Sequence, residues 1–263
     1  MAKIIILGAG SMGTAFSYPC SDNNHDVTII GTHLEDDFID LINSQKKHPI
    51  LDCGIAKNVK FLKLKNLSEE INKKVDLIVV AVVSKGIEWA SLELCKVLKN
   101  NVPILILTKG LSIHNNNYEI LAHKIERILR ENGIKKTNIS AAGGPCLAKD
   151  LATKVHTSVV FANTDINVVN EIKKIVSTDY YHVSTTDDVI GVEVCAAIKN
   201  IFSIGIGSTK DLNAAAGLIQ QSIDEMIIFT ETLKGKKETV IGLAGIGDLY
   251  VSADGGRNSK MGK

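Results

Sequence analysis

The sequence predicts a doubly wound α/β domain followed by an all-α domain. Three observations predict this fold class. Short β-branched runs alternate with helix-length segments in the first part of the chain, a glycine-rich turn directly follows the first run, and apolar helix-like stretches without strand runs fill the last part. Uniformly apolar short strands are typical of a parallel sheet that is covered by helices on both faces.

The individual elements of the first domain follow from these runs. The predicted strands are KIIIL (3–7), DVTIIG (26–31), DLIVVAVV (76–83), VPILILT (102–108), NISAAGG (138–144) and TSVVFA (157–162). The predicted helices between them cover residues 12–21, 35–46, 87–99 and 115–132, where apolar residues recur at helical spacing. Right-handed crossovers through these helices would build a doubly wound parallel sheet.

The second domain is predicted to begin at residue 187. Helices are expected over 188–206 and 213–233, and the polar segment 234–240 is expected to be a solvated loop. The predicted domains are therefore residues 1–186 and 187–263. The two apolar helices are more than a small helical domain can easily bury alone, so we expect a homodimer.

Composition and charge are those of an ordinary globular protein. The 263 residues carry a formal net charge of +1, which gives no indication of nucleic-acid binding. The five cysteines are odd in number and lack Cys-x-x-Cys spacing, so we expect neither a disulfide framework nor a metal site. The sequence starts without a signal peptide and shows no apolar run near the ~20 residues of a membrane span, so we expect a cytoplasmic protein.

The segment LGAGSMG (7–13) lies between a predicted strand and a predicted helix and has the pattern of a phosphate-binding turn. Gly8, Gly10 and Gly13 form a G-x-G-x-x-G pattern. Gly8 can take the tight turn, Gly10 lets a pyrophosphate approach the backbone, and Gly13 permits close packing of helix on strand. Free amides at the helix start would face the anion. The pattern indicates a Rossmann-like dinucleotide-binding domain, while three isolated glycines would also fit a simple tight turn.

The choice between NAD and NADP is open from the sequence. An acidic residue that binds the adenosine ribose is expected at the end of the second strand, about 20 residues after the glycines. Thr32 and His33 stand at that place instead. Glu35 could reach the ribose, or it could simply belong to the first turn of the next helix.

Several segments, read in order, resemble the NAD(P)-dependent glycerol-3-phosphate dehydrogenase family. They are GAGSMGTAF (8–16), TKGL (108–111), GGPCLAKDLA (143–152), GVEVCAAIKNIFSIGIG (191–207), NAAAGLIQQSIDEM (213–226) and GLAGIGDLYVSADGGRN (242–258). Many dehydrogenases share the first motif, whereas the lysine-bearing helix together with GLAGIGDL and GGRN is specific. The resemblance implies interconversion of sn-glycerol 3-phosphate and dihydroxyacetone phosphate with NAD or NADP.

The resemblance also implies roles for individual residues. It implies that Lys199, Lys109 and Asp248 are catalytic, that Asn200, Ser252, Arg257 and Asn258 bind the substrate, and that Gly8, Gly10, Ser11, Met12, Gly13, Lys109, Ala148 and Arg257 bind the coenzyme. Interconverting an alcohol and a ketone requires a group that takes and returns a proton at the reacting oxygen. A guanidinium group offers a planar fork to two oxygens of the substrate phosphate.

Lys199 is the residue on which this interpretation depends. A free lysine, with a pKa of about 10.4, is a poor base at neutral pH, and desolvation lowers that value. The apolar neighbours of Lys199 provide such an environment, but a surface lysine with its stem along them also fits. Asp248 would oppose the effect of burial, so the direction of the pKa change is open. Glu193 shares a helix face with Asn200 and could hold that amide or cap the helix start.

The sequence departs from the family pattern in several places. Cys146 and Leu147 stand where Ser and Phe are common, and the family continues for several helices beyond GGRN whereas this sequence ends at SKMGK. We therefore expect the C-terminal part of the family's helical domain to be absent. Two other functions fit the same residues: a dehydrogenase of another small hydroxy acid or phosphorylated alcohol, and a non-catalytic NAD(P)-binding protein.

Overall fold

The computed structural model describes residues 1–99, 101–209 and 211–262. Its strands are β1 (Lys3–Leu7), β2 (Asp26–Ile30), β3 (Lys47–His48), β4 (Cys53–Gly54), β5 (Val59–Leu62), β6 (Leu77–Val80), β7 (Pro103–Ile106), β8 (Leu111–His114), β9 (Asn117–Ile120), β10 (Asn138–Gly143), β11 (Thr157–Ala162) and β12 (Tyr181–Thr186). Its helices are α1 (Ser11–Asp22), α2 (Asp36–Gln45), α3 (Leu67–Ile71), α4 (Ile87–Val97), α5 (Leu121–Glu131), α6 (Ala148–Ala152), α7 (Ile166–Val176), α8 (Val189–Gly207), α9 (Leu212–Thr232), α10 (Lys237–Val240), α11 (Asp248–Gly255) and α12 (Arg257–Gly262). Short 3₁₀ turns cover Leu64–Asn66 and Ser84–Gly86, and a π-helical turn covers Leu243–Gly247.

The main sheet has the strand order β12-β11-β10-β7-β6-β1-β2-β5. β1 lies inside the sheet and pairs in parallel with β2 on one side and with β6 on the other. The chain therefore winds outward in both directions from β1, which confirms the predicted doubly wound domain. The change of direction places a crevice at the carboxyl ends of β1 and β6, where open α/β sheets bind ligands.

The expectation of a wholly parallel sheet is wrong at its far edge. β11 runs antiparallel to β10, and β12 then pairs with β11 in parallel. The connection from β10 to β11 contains only the short helix α6, which packs on α1 instead of carrying the chain across the sheet. A parallel pairing would need a full crossover at this point.

Both faces of the sheet are buried, as the apolar strands predict. In β1, Ile4 and Ile6 face a core that includes residues of α1, α2 and α7, whereas Ile5 and Leu7 face a core that includes residues of α4, α5 and α8. Successive side chains of a strand point to opposite faces, so an uninterrupted apolar run is needed here. The two cores hold the carboxyl edge of the sheet in a fixed position.

Two further segments correct the predicted elements. A hairpin of β8 and β9 occupies residues 111–120, because Asn115 and Asn116 take positive φ values of 50° and 61° and form its turn, so the helix predicted from residue 115 begins at Leu121. Strands β5 and β12 were not predicted, because polar residues interrupt their apolar pattern at the sheet edges. The segment predicted as a loop at 234–240 contains the helix α10, and Val240 is fully buried.

The helical part of the chain is built around α8, which confirms the predicted helical domain. This helix packs against α9, α11 and α12 on one side and against β10 on the other. Its length and composition alone would allow it to cross a membrane, but 61% of it is buried inside the protein, which is typical of a core helix. α8 therefore brings its side chains to the carboxyl edge of the sheet.

Candidate active site and coenzyme site

The turn between β1 and α1 has the geometry that its glycines predict. Gly8 has a φ of 111°, and a Cβ there would lie 2.7 Å from the carbonyl oxygen of Ala81 at the end of β6. A Cβ on Gly13 would lie 2.5 Å from the carbonyl oxygen of Gly8. Only glycine fits at these two positions, because any side chain would push the turn away from the sheet.

Gly10 differs from the other two glycines because it faces open space. Within the described residues, nothing lies within 4 Å of the place where its Cβ would stand. Gly10 is also the N-cap of α1, and it has no side chain to bind the first amides of that helix, those of Ser11 and Met12. Open space beside free helix amides fits the pyrophosphate of a dinucleotide.

Both backbone polar groups of Ala9, within the same turn, are bound by side chains. Its N–H donates to Oε2 of Glu35 at 3.2 Å, and its carbonyl oxygen lies 3.1 Å from Nε2 of His48. Since the N–H of Leu51 donates to Nδ1 of His48 at 3.1 Å, the ring carries its hydrogen on Nε2 and donates it to Ala9. Burial lowers the pKa of His48, which favours this neutral form.

After β2 the chain continues through Thr32 and His33 to Glu35, whose carboxylate is bound to the backbone of the glycine turn. Oε2 of Glu35 also accepts the N–H of Thr32 at 2.7 Å, so this carboxylate is bound to two backbone amides. The exposed His33 ring lies against Trp89 of α4, with 4.8 Å between the ring centroids. One oxygen of the residue that could replace the missing acid is therefore occupied by backbone amides.

The structure brings together the three residues for which a catalytic role was predicted. Lys199 of α8 donates through Nζ to Oδ1 of Asp248, and Lys109 donates through Nζ to Oδ2 of the same carboxylate at 2.7 Å. Lys109 also lies 3.4 Å from the carbonyl oxygen of Gly144, just after β10. Lys199 is only 6% exposed and Asp248 only 2%, so Lys199 is not a surface lysine.

A π-helical turn places Asp248. The N–H of Gly247 donates to the carbonyl oxygen of Gly242 at 3.2 Å, a bond that spans five residues instead of four. A Cβ on Gly245 would overlap the carbonyl oxygen of Val240, so the glycine-rich segment is required for this wide turn. The turn starts α11 with its first residue, Asp248, directed at both lysines.

The structure gives the direction of the pKa change that the sequence left open. Burial and the nearby ammonium of Lys109 lower the pKa of Lys199, Asp248 opposes both effects, and the result is a pKa of about 8. Two lysines share one carboxylate, so the cluster carries net positive charge when both are protonated. At pH 7 roughly a tenth of the Lys199 side chains would be neutral, enough for the amine to accept a proton as well as donate one.

The cluster is continuous with the coenzyme crevice. A small cavity of about 30 Å³ is lined by Met12 of α1, by Lys109 and by Cys146. Burial raises the pKa of the Cys146 thiol to about 12, so the cysteine that replaces the common serine stays protonated. Ala148, the remaining predicted coenzyme contact, begins α6, which packs on α1.

The residues predicted to bind the substrate lie on the three helices that meet around Lys199. Asn200 is half-buried on α8, Ser252 lies one turn after Asp248 on α11, and Asn258 is half-buried on α12. Within the described residues, the side chains of Asn200 and Ser252 form no hydrogen bond to the lysine–aspartate cluster. Arg257 begins α12, and its side chain lies outside the described part of the structure.

Glu193 has a partner that neither sequence interpretation foresaw. Its two carboxylate oxygens accept the N–H groups of Leu121 at 2.8 Å and of Ala122 at 2.9 Å. Glu193 therefore caps α5, and it neither holds Asn200 nor caps its own helix, whose N-cap is Asp188. The sequence shows only an acidic residue in the apolar first half of α8, which does not reveal its partner.

Known families match both parts of the chain. Residues 3–169 match the N-terminus of NAD-dependent glycerol-3-phosphate dehydrogenase, and residues 188–263 match its C-terminus. The NADP(+)-dependent glycerol-3-phosphate dehydrogenase of Archaeoglobus fulgidus is 31% identical over 272 residues, which cover 99% of this chain and 78% of that protein. The glycerol-3-phosphate dehydrogenase [NAD(P)+] of an Exiguobacterium species is 31% identical and covers 96% of this chain and 73% of the relative.

A solved structure has the same fold. The crystal structure of glycerol-3-phosphate dehydrogenase from Coxiella burnetii is similar with a TM-score of 0.87 and 25% identity, covering 99% of this chain and 79% of that one. The glycine turn, the buried lysine of α8 and the aspartate after the π-helical turn all lie in segments that these matches cover. With both parts of the chain matched in order and almost the whole length aligned to relatives, the chain belongs to the NAD-dependent glycerol-3-phosphate dehydrogenase family.

Proposed function

We propose that this protein interconverts sn-glycerol 3-phosphate and dihydroxyacetone phosphate, with NADP(H) or NAD(H) as its coenzyme. The observation that carries the proposal is the buried cluster of Lys199, Asp248 and Lys109 at the carboxyl edge of the sheet. It lies next to a glycine turn whose open side and free amides suit a dinucleotide. The names of the relatives agree with this reaction.

Lys199 is the group that we propose takes and returns the proton at the C2 oxygen of the substrate. The bound coenzyme supplies or accepts the hydride at C2. In the reducing direction the Lys199 ammonium donates its proton to the ketone oxygen, and in the oxidising direction the neutral amine accepts the hydroxyl proton. A pKa of about 8 makes both forms accessible near neutral pH.

Asp248 and Lys109 support this proton transfer in the proposed mechanism. Asp248 binds both ammonium groups, which fixes the direction of the Lys199 side chain. Lys109 keeps a second positive charge beside the reacting oxygen, where negative charge develops as the hydride arrives. Because Lys199 and Asp248 are buried, water weakens these electrostatic interactions little.

We propose that the substrate phosphate is bound by four residues: Arg257, Asn258, Asn200 and Ser252. Ser252 follows Asp248 by one turn on α11 and so shares a helix face with it, and Asn200 is the residue after Lys199 on α8. Arg257 contributes a permanent charge at the start of α12. A three-carbon phosphoester could then present its middle oxygen to Lys199.

For the coenzyme, we propose contacts with Gly8, Gly10, Ser11, Met12, Gly13, Lys109, Ala148 and Arg257, and a preference for NADP(H). Thr32 and His33 stand where an acid would bind the ribose hydroxyls of NAD, and one oxygen of Glu35 is bound to the amides of Ala9 and Thr32. The side chains of Thr32 and His33 can donate hydrogen bonds to a 2′-phosphate. The relative from Archaeoglobus fulgidus is named as NADP(+)-dependent.

The organisation of the chain completes the proposal. We place the boundary between the dinucleotide-binding and helical domains at residue 187, between β12 and α8. A homodimer is proposed because α8 and α9 expose large apolar side chains. A cytoplasmic location is proposed because the five cysteines are free thiols, as in a reducing compartment.

The reaction is tested by following absorbance at 340 nm with dihydroxyacetone phosphate and either NADPH or NADH. We expect turnover with both coenzymes and a higher kcat/KM with NADPH. In Lys199→Met, which keeps the length of the side chain but removes its charge, kcat should fall by about 10²-fold or more, because general acid catalysis is lost. The Kd of NADPH should stay within about twofold, since the glycine turn is unchanged.

The matched control is Lys174→Ala, which removes an exposed lysine of α7 that pairs with Glu171. Its kinetics should equal those of the unmodified protein. Normal turnover in Lys199→Met would eliminate Lys199 as the proton donor. NADPH binding without oxidation in the unmodified protein would instead favour a non-catalytic binding protein, and equal rates with dihydroxyacetone and its phosphate would argue against a phosphate site.

A further inference from the structure

Glu193 forms a contact between the two parts of the chain that the proposed chemistry does not use. Its side chain is 3% exposed, and both of its oxygens accept backbone N–H groups, those of Leu121 and Ala122. These are the first two residues of α5, whose own N-cap, Ile120, has no side-chain acceptor. The first amides of a helix need partners from elsewhere, and here α8 supplies one carboxylate for two of them.

The chain around α5 leads directly to Lys109. Lys109 is followed by Gly110 and by the hairpin of β8 and β9, in which Leu111 pairs with Ile120. The end of the hairpin that joins α5 therefore lies beside the end that joins Lys109. By binding the start of α5, Glu193 fixes the base of the hairpin that leaves the Lys109 segment.

On its own helix, Glu193 precedes Lys199 by six residues. This separation turns the two side chains to different faces of α8, because each residue rotates by about 100°. Glu193 faces α5 while Lys199 faces Asp248 and Lys109. α8 is thus bound through Glu193 to the start of α5, which the hairpin joins to Lys109. The same helix carries the amine of Lys199 six residues later.

The chemistry of this contact makes it a specific one. A carboxylate that accepts two amides at 2.8 and 2.9 Å fits only one rotation and one height of α8 against α5, whereas an apolar contact tolerates sliding. Burial raises the pKa of Glu193, whereas the two amide donors lower it, because they bind the carboxylate form. The geometry in which both oxygens accept N–H groups is therefore that of the ionised side chain, whose desolvation is offset by these two bonds.

We propose that Glu193 is a positioning residue that sets the register of α8 against α5, so that Lys199 and Lys109 meet on Asp248. This inference rests on the proposed roles of the two lysines. It predicts that Glu193 acts on the chemical step through Lys199, without contact with the glycine turn at the start of α1.

The test compares Glu193→Ala, which leaves both amides without an acceptor, with Glu193→Gln, which keeps one acceptor oxygen. We expect kcat for dihydroxyacetone phosphate reduction to fall by about tenfold or more in Glu193→Ala, because small displacements of a catalytic group are costly, and by less in Glu193→Gln. The KM for NADPH should change by less than about twofold. The pH at which kcat/KM declines should also move. This pH follows the pKa of Lys199, which depends on the distances of Lys199 from Lys109 and Asp248.

The control is Glu231→Ala, which removes an exposed carboxylate of α9 and should leave all these quantities unchanged. Wild-type kcat and an unmoved pH profile in folded Glu193→Ala and Glu193→Gln would overturn the proposal, whatever their melting temperatures. Should the alanine variant not fold, the glutamine variant decides alone: reduced kcat with retained NADPH binding supports the proposal, and normal kcat overturns it. An active Lys199→Met variant would instead contradict the proposed function.

Discussion

At the scale of single residues, the site depends on one amine that is subject to opposing influences. Burial and the Lys109 ammonium favour the neutral form of Lys199, while Asp248 favours the charged form, and the outcome is a pKa of about 8. A lysine in water would remain protonated at every physiological pH. The surroundings of Lys199 therefore decide whether the same group can serve both directions of the reaction.

This balance predicts a pH dependence for each direction. Reduction needs the Lys199 ammonium, so its kcat/KM should be constant at lower pH and fall as the pH rises through about 8. Oxidation needs the neutral amine, so its kcat/KM should rise through the same pH. Initial rates in both directions between pH 6 and pH 10 measure these limbs. Limbs that run in the same direction would contradict the assignment.

Asp248→Asn tests the cause of the balance within the same experiment. The substitution removes the anion that stabilises both ammonium groups while nearly preserving the shape of the side chain. The pKa of Lys199 should fall, and the decline of the reductive kcat/KM should move to lower pH by about one unit or more. An unmoved limb would mean that another group is responsible for it.

At the scale of elements, the turn after β1 is held by side chains that the glycine motif does not include. His48 donates to the carbonyl oxygen of Ala9 only in its neutral form, because its Nδ1 accepts the N–H of Leu51. Its pKa in the folded protein is lowered from the ordinary value of 6.5. The unfolded chain therefore binds the extra proton first, and this part of the stability is lost as the pH falls below about 6.5.

His48→Gln should remove this pH dependence and loosen the turn. The melting temperature of the unmodified protein should fall more steeply between pH 7 and pH 5 than that of the variant. Coenzyme binding should weaken several-fold, measured by the emission of Trp89, the one tryptophan of the sequence, which lies against His33 beside the crevice. His156→Gln, at an exposed histidine, is the control. Equal slopes for the variant and the unmodified protein would exclude His48.

The elements also show what a sequence can and cannot predict. Buried strands were predictable because apolar runs such as IIIL and LIVV have to fill two cores. The glycine turn was predictable because no other residue fits Gly8 or Gly13. The hairpin at 111–120 was not, since its apolar residues also fit a helix and its turn depends on two asparagines with positive φ. Bonds between distant segments, such as those of Glu193, leave no local pattern.

At the scale of the whole molecule, α8 joins the two functions of the fold. It packs against β10 and shares a core with the strands and helices of one sheet face, while α9, α11 and α12 gather around it. The catalytic lysine is therefore attached to the coenzyme-binding sheet through a continuous apolar core. The outer faces of these helices are different, because they expose apolar side chains that the described chain leaves uncovered.

Those exposed side chains predict a homodimer. Ile201 is 70% exposed, Leu212 is 85% exposed and Ile228 is 65% exposed, all on the adjacent helices α8 and α9. A second copy could bury them in an interface of standard size, about 800 Å² on each partner. Light scattering after size-exclusion chromatography should therefore give twice the mass of one chain, 28.4 kDa.

Ile228→Glu should shift this mass to that of the monomer, because burying an unpaired carboxylate in an apolar interface costs more than the isoleucine contributes. Ile50→Glu changes an equally exposed isoleucine on the turn between β3 and β4 and should leave the mass unchanged. A monomeric unmodified protein at micromolar concentration would contradict the dimer. Retention of the dimer in Ile228→Glu would place the interface away from this part of α9.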